Sequence, residues 1–355
     1  MFTTMTTKNN KVLLGMSGGI DSSSAAIMLQ DKGYEVIGTT FVQHRFEEMA
    51  SSINDAKQVA HQLGIEHFVM DIRDLFKQEV IAYFHKEYES GRTPNPCVKC
   101  NQVIKYQHFI KEADKRGIYH IASGQYAKVV KTSAGYQIHK ATNKKKDQSY
   151  YLYQLKEKDL PRLLLPLGDI ADKENARQLL KDRGIALYHK QESQEICFIK
   201  DDQYIPFIEQ YFDPKSKVGN FVDSSGKVLG SHKGIHRYTI GQRKGLGIAL
   251  GTPHYVVDIN SETNEITLSD QMALQHQSCL LTNSNLIDEQ INLTNETFQC
   301  KIRYTSKELP ATLAWEGNEL KVTFLEPIRA LTPGQSLVCY QGDRLIGGGM
   351  IDKRG

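Results

Sequence analysis

The 355-residue chain is 40% hydrophobic and 24% charged with a net charge of +3, the profile of a globular protein of two or three domains at the usual ~150 residues each. No apolar run reaches the ~18 residues that a membrane span needs, and so small a net charge does not by itself imply a nucleic-acid partner. Six cysteines in a chain of this size do not read as a disulfide framework, and the expected compartment is the cytoplasm.

Residues 1–10 are polar, lack the apolar stretch of a secretory signal, and read as a frayed tail. Strand-like runs follow at 11–16, 35–42, 67–72 and 118–123, separated by helical runs at 23–29, 54–63, 75–89 and 98–115. This alternation predicts an α/β domain with a parallel sheet wound on both faces, and Gly33, Gly64 and Gly117 stand where left-handed helix caps belong. A hairpin at 128–132 and 136–142, the basic run Lys144-Lys145-Lys146, and a helix at 173–183 capped by Gly184 come next. From about residue 204, Gly and His become frequent, and His232 to Lys244 forms a second basic cluster. Such clusters meet phosphates or are simply solvated faces, and composition alone does not choose. From 255 onward, short apolar runs at 255–259, 265–268, 298–304, 311–315, 320–325, 336–340 and 345–351 predict an all-β barrel or sandwich. The expected domains are therefore 1–203 (catalytic α/β), 204–273 (connecting) and 274–355 (β).

The first strand runs into Ser17-Gly18-Gly19-Ile20-Asp21-Ser22-Ser23 and then a helix. Glycines let the backbone approach an oxyanion, the first helical turn aims free N–H groups at it, and the helix dipole favours negative charge there. Hydroxyls add donors, and Asp21 has the chemistry to hold magnesium against phosphate oxygens. No Gly-Lys-Ser/Thr follows, so this is not the Walker pattern. The loop resembles the SGGxDS signature of the ATP pyrophosphatases (PP-loop enzymes), which implies cleavage of ATP between its α- and β-phosphates. Amide ligation, nucleotide synthesis and thiolation all remain open on that loop alone.

Cys279, Cys300 and Cys339 lie in apolar, strand-like segments and read as small buried hydrophobes. Cys97 and Cys100 follow Asn95-Pro96, a plausible N-cap and first helical residue. A helix N-terminus, with Lys99 nearby, would lower a thiol pKa. No metal site is expected there, because a structural zinc needs four ligands and no second C-x-x-C exists. Cys197, alone in Ser193-Gln194-Glu195-Ile196-Cys197-Phe198-Ile199, reads more readily as a buried thiol than as a catalyst.

SGGIDSS, TPNPCVKCN, KKDQSYYL, SQEICFI and YTIGQRKGLGIA occur in this order, and the chain resembles the tRNA-specific 2-thiouridylase family over nearly its whole length. The resemblance implies an adenine nucleotide alpha hydrolase-like (PP-loop) domain, a small central domain and a C-terminal β-barrel. It implies replacement of the C2 oxygen of wobble uridine 34 by sulfur, with ATP and magnesium, rather than 4-thiouridine synthesis or simple RNA binding. It assigns ATP contacts to Gly15, Met16, Ser17, Gly18, Gly19, Ile20, Asp21, Ser22, Phe41 and Gly124. A persulfide maps to Cys197 and the catalytic thiol to Cys100, with a Cys100–Cys197 disulfide closing the cycle. Asn95, Pro96 and Cys97 map to the target base, and Gln125, Lys146, Asp147, Gln148, Arg303, Tyr304 and Gln335 to further tRNA positions. Implied partners are tRNAs with uridine 34 (lysine, glutamate and glutamine acceptors) and a cysteine desulfurase or sulfur relay protein, around a monomeric enzyme. The chain departs from the family where Cys97 replaces a frequent Asp, where Gln125 replaces a frequent His, and where residues 43–52 lack a Trp-containing acidic stretch.

Overall fold

The computed structural model describes residues 10–44, 46–186, 196–199, 203–211 and 218–355. The tail at 1–9 and the first three residues of the SQEICFI motif lie outside the described residues. The chain divides into two compact units, Met1–Glu79 with Cys97–Gln194 and Asp343–Leu345, and Val80–Pro96 with Glu195–Gly342 and Ile346–Gly355.

In the first unit, β1 (Lys11–Gly15), β2 (Glu35–Val42), β3 (Glu66–Asp71), β4 (His120–Ala122) and β7 (Leu163–Leu164) form one parallel sheet in the order β3-β2-β1-β4-β7. Val12, Leu13 and Leu14 of the central strand are fully buried on both faces, as a strand covered by helices on each side must be. β1 leads through α1 (Ile20–Asp31) to β2 on one side, whereas β4 lies on the other side. The strand order therefore reverses between β1 and β4, and the crevice at their carboxyl ends is where ligands bind in open α/β sheets. The SGGIDSS loop leaves β1 there and residues 123–126 leave β4 there.

Helix α1 is longer than the predicted 23–29 because its serines do not stop it. Ser23 Oγ donates to the Gly19 carbonyl at 2.8 Å, and Ser24 Oγ donates to the Ala176 carbonyl of α7 (Lys173–Asp182) at 2.9 Å. Small residues Ser22 to Ala26 let the helix pack closely, and all five are buried. α2 (Phe46–Gln62) covers the sheet beside it. The hairpin β5 (Ala127–Thr132) and β6 (Gly135–Lys140) forms close to its predicted bounds.

The predicted 98–115 helix is α5 (Pro96–Cys100), a π-helical stretch Asn101–His108, and α6 (Phe109–Lys115). Pattern reading does not separate i→i+5 from i→i+4 bonding. The predicted 75–89 helix likewise begins as α3 (Arg73–Phe76), passes through a π-helical turn at Lys77–Ile81, and continues as α4 (Ala82–Glu89).

The second unit holds α4, α8 (Tyr204–Tyr211) and two β structures. β8 (Gly219–Val222), β9 (Val228–His232), β10 (Tyr255–Asn260) and β11 (Glu265–Ser269) form a sheet in the order β10-β11-β8-β9. β12 (Gln275–Leu286), β13 (Phe298–Lys301), β14 (Leu309–Glu316), β15 (Glu319–Arg329), β16 (Ser336–Gln341) and β17 (Arg344–Arg354) form a barrel in the order β12-β15-β14-β13-β16-β17, closed by β12–β17 pairing. The barrel core includes Cys279, Cys300 and Cys339, all buried as their apolar contexts predict. β12 escaped prediction because eight of its twelve residues are polar, and irregularities at His276/Ser278 and Thr282/Asn285 break its alternation.

Half of the second basic cluster is neutralised inside the fold. His236 and Arg237 both bond Glu209, and His232 is buried against the Gly234 amide and the Asn264 carbonyl. Burial lowers the His232 pKa, so it adds no positive charge near neutrality. Among the described residues no helix is long and apolar enough to cross a membrane.

Candidate active site

The loop after β1 is shaped for an anion. Gly18 has φ +67, and a Cβ there would lie 2.4 Å from the Ser52 carbonyl oxygen and 2.8 Å from the Asp55 Cβ, so only glycine fits. The Ser17 amide donates to Ser22 Oγ at 3.2 Å, and Ser22 Oγ donates to the Gly19 carbonyl at 3.2 Å, which draws the loop around the helix start. Gly19 takes the N-cap position and makes no side-chain cap, leaving the amides of the first turn to a ligand. Gly124 closes the other side. A Cβ on it would stand 2.7 Å from both the Asp21 carbonyl carbon and the Ser22 amide nitrogen. Phe41, at the end of β2, lies edge-on to Phe109 with centroids 5.2 Å apart and within 3.5 Å of the position a Gly15 Cβ would take.

Asp21 is oriented by a residue that sequence reasoning passed over. The buried Tyr126 donates from its hydroxyl to Asp21 Oδ1 at 3.0 Å. Tyr126 is in turn held by Gln148, whose side-chain oxygen accepts from the Tyr126 amide at 3.0 Å and whose amide donates to the Tyr126 carbonyl at 2.7 Å. Asp147 braces the same turn, accepting from the Ala141 amide at 2.9 Å and the Ser149 hydroxyl at 2.8 Å. Asp147 and Gln148 of the Lys-Asp-Gln segment thus buckle the phosphate site. The signal in the sequence for Tyr126 was its place two residues beyond Gly124.

Gln125 reaches the cysteine helix from the same short segment. Its side-chain nitrogen donates to Asn101 Oδ1 at 3.0 Å, and its oxygen accepts from Ser123 Oγ at 3.1 Å and from the Tyr106 hydroxyl. Asn101 Nδ2 donates to the Cys97 carbonyl at 2.8 Å. Gln125 is 8% exposed, and its side chain is engaged in this network. Burial holds the Tyr106 phenol protonated, keeping it a donor.

The helix begins at Pro96 as the Asn95-Pro96 pair predicts, but the thiols are not activated by it. Burial pushes Cys97 up and Cys100 up to about 11, against an opposing pull from the Lys105 ammonium. The first α-helical segment spans five residues and ends at Cys100, so its N-terminal field is weak there, while Cys100 is only 7% exposed. Lys99 does not add free charge, being paired with Glu79 at 3.3 Å.

In the second unit, Gln335 donates from its amide nitrogen to the carbonyls of Thr93 and Pro94 at 2.9 and 3.2 Å. The Thr93 amide donates to the Pro333 carbonyl at 2.9 Å, and Arg92 binds Glu87, Asp352 and the Ile351 carbonyl. The extended segment leading to Asn95 and Pro96 is therefore clamped to barrel residues of its own unit. Arg303 reaches the Ala330 carbonyl at 3.1 Å, and Lys301 lies over the Tyr304 ring at 5.5 Å. Cys197 is exposed on a turn closed by an Ile199 amide to Ile196 carbonyl bond of 2.9 Å, contrary to the buried thiol that its local sequence suggests. The neighbouring Phe198 anchors this turn, packing on Phe84 and Phe207 with centroids 5.5 and 5.1 Å away. Among the described residues, no group of three or more His, Cys, Asp or Glu is arranged to hold a metal ion.

Comparison with known proteins gives three successive family matches. Residues 10–201 match the tRNA methyl transferase HUP domain, 205–270 the tRNA methyl transferase PRC-barrel domain, and 276–351 the aminomethyltransferase beta-barrel domain. The chain is 43% identical to tRNA-specific 2-thiouridylase MnmA of Clostridioides difficile over 97% of this chain and 99% of that one. It is 45% identical to tRNA-specific 2-thiouridylase MnmA of Carboxydothermus hydrogenoformans over 97% and 98%.

Proposed function

The chain belongs to the tRNA-specific 2-thiouridylase family, and we propose that it converts the C2 carbonyl of wobble uridine 34 to a thiocarbonyl at the expense of ATP. It is a tRNA sulfurtransferase that forms 2-thiouridine. The observation that carries the mechanistic reading is the pair of neighbours Gln125 and Tyr126, one bonded to the asparagine beside Cys100 and the other to Asp21 of the phosphate loop. One rigid segment thereby holds both an anion site and a thiol.

A uridine carbonyl oxygen is a poor leaving group, and transfer of AMP to it makes a good one. The first-turn amides of α1 with Ser17, Ser22 and Ser23 would receive the pyrophosphate, and Gly124 leaves the room that any side chain would fill. The ATP contact set is Gly15 to Ser22, Phe41 and Gly124. Asp21, oriented by the Tyr126 hydroxyl at the phosphate loop, fits the role of magnesium ligand. Magnesium, when bound, neutralises phosphate charge. Cys197 would carry the persulfide sulfur on its exposed turn. Cys100 either frees sulfide from that persulfide or resolves the product, and both routes end in a Cys100–Cys197 disulfide that must be reduced.

Lys146, Arg303, Tyr304 and the Asn95-Pro96-Cys97 stretch are the proposed tRNA contacts, within proposed domains 1–203, 204–273 and 274–355. The sulfur arrives from a cysteine desulfurase or relay protein, and a cytoplasmic monomer is the working form. Purified protein, ATP, magnesium, a persulfide donor and unmodified tRNA are expected to yield 2-thiouridine at position 34 by nucleoside mass spectrometry. Sulfur at another position, or none while pyrophosphate is released, would overturn this reading.

A further inference from the structure

A thiol held protonated up to about 11 is a poor nucleophile at neutral pH. A buried catalytic thiol therefore needs a cation that burial has not already matched with a carboxylate. Lys99, one residue away, fails this requirement because Glu79 takes its charge. Lys105 meets it. Its side chain is half-buried, and it makes no hydrogen bond or ion pair with another described residue. An ammonium drawn partly out of water without a counter-charge is unfavourable until an anion joins it.

The backbone explains why this lysine is the one available. In a regular α-helix, residue 105 would point about 140° around the axis from residue 100. The chain instead runs as a π-helix over Asn101–His108, where the Phe109 amide reaches back five residues to the Ile104 carbonyl. That spacing sets Lys105 one turn beyond Cys100. Among the described residues, the groups that act electrostatically on Cys100 are Lys105 and the neutral thiol of Cys97, and of these Lys105 is the charged one.

We propose that Lys105 is the counter-ion of the Cys100 thiolate, set over it by the π-helical register so that a buried thiol ionises, giving its proton to solvent, when sulfur transfer requires it. The inference rests on the reading of Cys100 as the catalytic thiol. Lys105 acts through Cys100 and is a positioning residue. It also accounts for a π-helix directly after the cysteine motif, where an α-helix would turn this charge away.

The test is alkylation of the full chain by iodoacetamide across pH, read peptide by peptide by mass spectrometry, with exposed Cys197 as internal reference. Lys105→Met and Lys105→Gln should each slow Cys100 alkylation about five-fold at about pH 8 and move its inflection upward. Lys105→Arg should keep the wild-type profile, and Cys197 should be unchanged throughout. A change at Cys100 under about two-fold in both neutral variants overturns the proposal, as does an arginine variant as slow as the methionine one. tRNA thiolation measured on the same wild-type sample separates the two claims. Thiolation with an unmoved alkylation profile sinks the counter-ion and keeps the function, and a shifted profile without thiolation does the reverse.

Discussion

The hydroxyl of Tyr126 donates to Asp21 Oδ1 at 3.0 Å from a side chain that is 1% exposed. A hydrogen bond to a charged group contributes roughly 1.5–3 kcal/mol, and partners that orient a metal-ligating carboxylate typically change activity about 10–100-fold. Tyr126→Phe should therefore reduce tRNA-dependent pyrophosphate release about ten-fold and raise the magnesium needed for half-maximal rate. Asp21→Ala should reduce release more than about 100-fold. Normal release by the Asp21 variant would remove the metal and phosphate role assigned to that carboxylate.

The thiols separate by environment, and each environment predicts a different phenotype. Cys100 is buried beside the Asn101–Gln125 bond, and Cys197 is exposed on its anchored turn. With a persulfide donor, Cys100→Ala and Cys197→Ala should each abolish thiolation while pyrophosphate release persists. Cys97→Ala should retain activity, since Asn101 holds the Cys97 carbonyl rather than its thiol. An inactive Cys97 variant beside an active Cys100 variant would reassign the nucleophile.

The features legible in the sequence were those written locally. A strand, a glycine-serine turn and a helix lie within twenty residues, so the phosphate loop could be read directly, as could the Asn95-Pro96 helix start. What was not legible depends on topology. Tyr126 matters because β4 borders β1, which no local pattern states. The activated thiol expected at a helix start failed because burial, a tertiary property, outweighs a short helix's field at Cys100. Strand β12 was invisible because neighbours on both sides, β15 and β17, supply the pairing that its polar sequence does not advertise.

Gln335 spends its side-chain amide on two carbonyls just ahead of Asn95. The two bonds are worth roughly 1–3 kcal/mol together, and their loss should loosen the chain that leads to the cysteines. Gln335→Leu is expected to lower the thiolation kcat about ten-fold while tRNA affinity in a filter-binding assay changes less than about two-fold. A result concentrated in affinity would return Gln335 to the RNA-contacting set and make its present bonds incidental. Asp352→Asn, which weakens the Arg92 anchor on the same segment, should show the same kcat-dominated pattern.

The buried thiols also set the alkaline limit of the fold. Burial raises Cys100 to about 11 and Cys279 to about 12, whereas an exposed thiol ionises near ~8.5. In the unfolded chain these groups lose protons as pH passes that ordinary value, and the folded chain does not follow until the raised value is reached. Their contribution is thus complete below about pH 8.5 and is lost between there and about pH 11 for Cys100, or 12 for Cys279. Each raised thiol is worth roughly 3–5 kcal/mol across its window. Urea unfolding at about pH 7.5, 9 and 10.5 should show stability falling with pH, and Cys279→Ala should flatten that slope even though its cavity lowers stability at neutrality. Parallel slopes for the variant and the wild type would mean that the Cys279 thiol is not what ties the barrel's stability to pH.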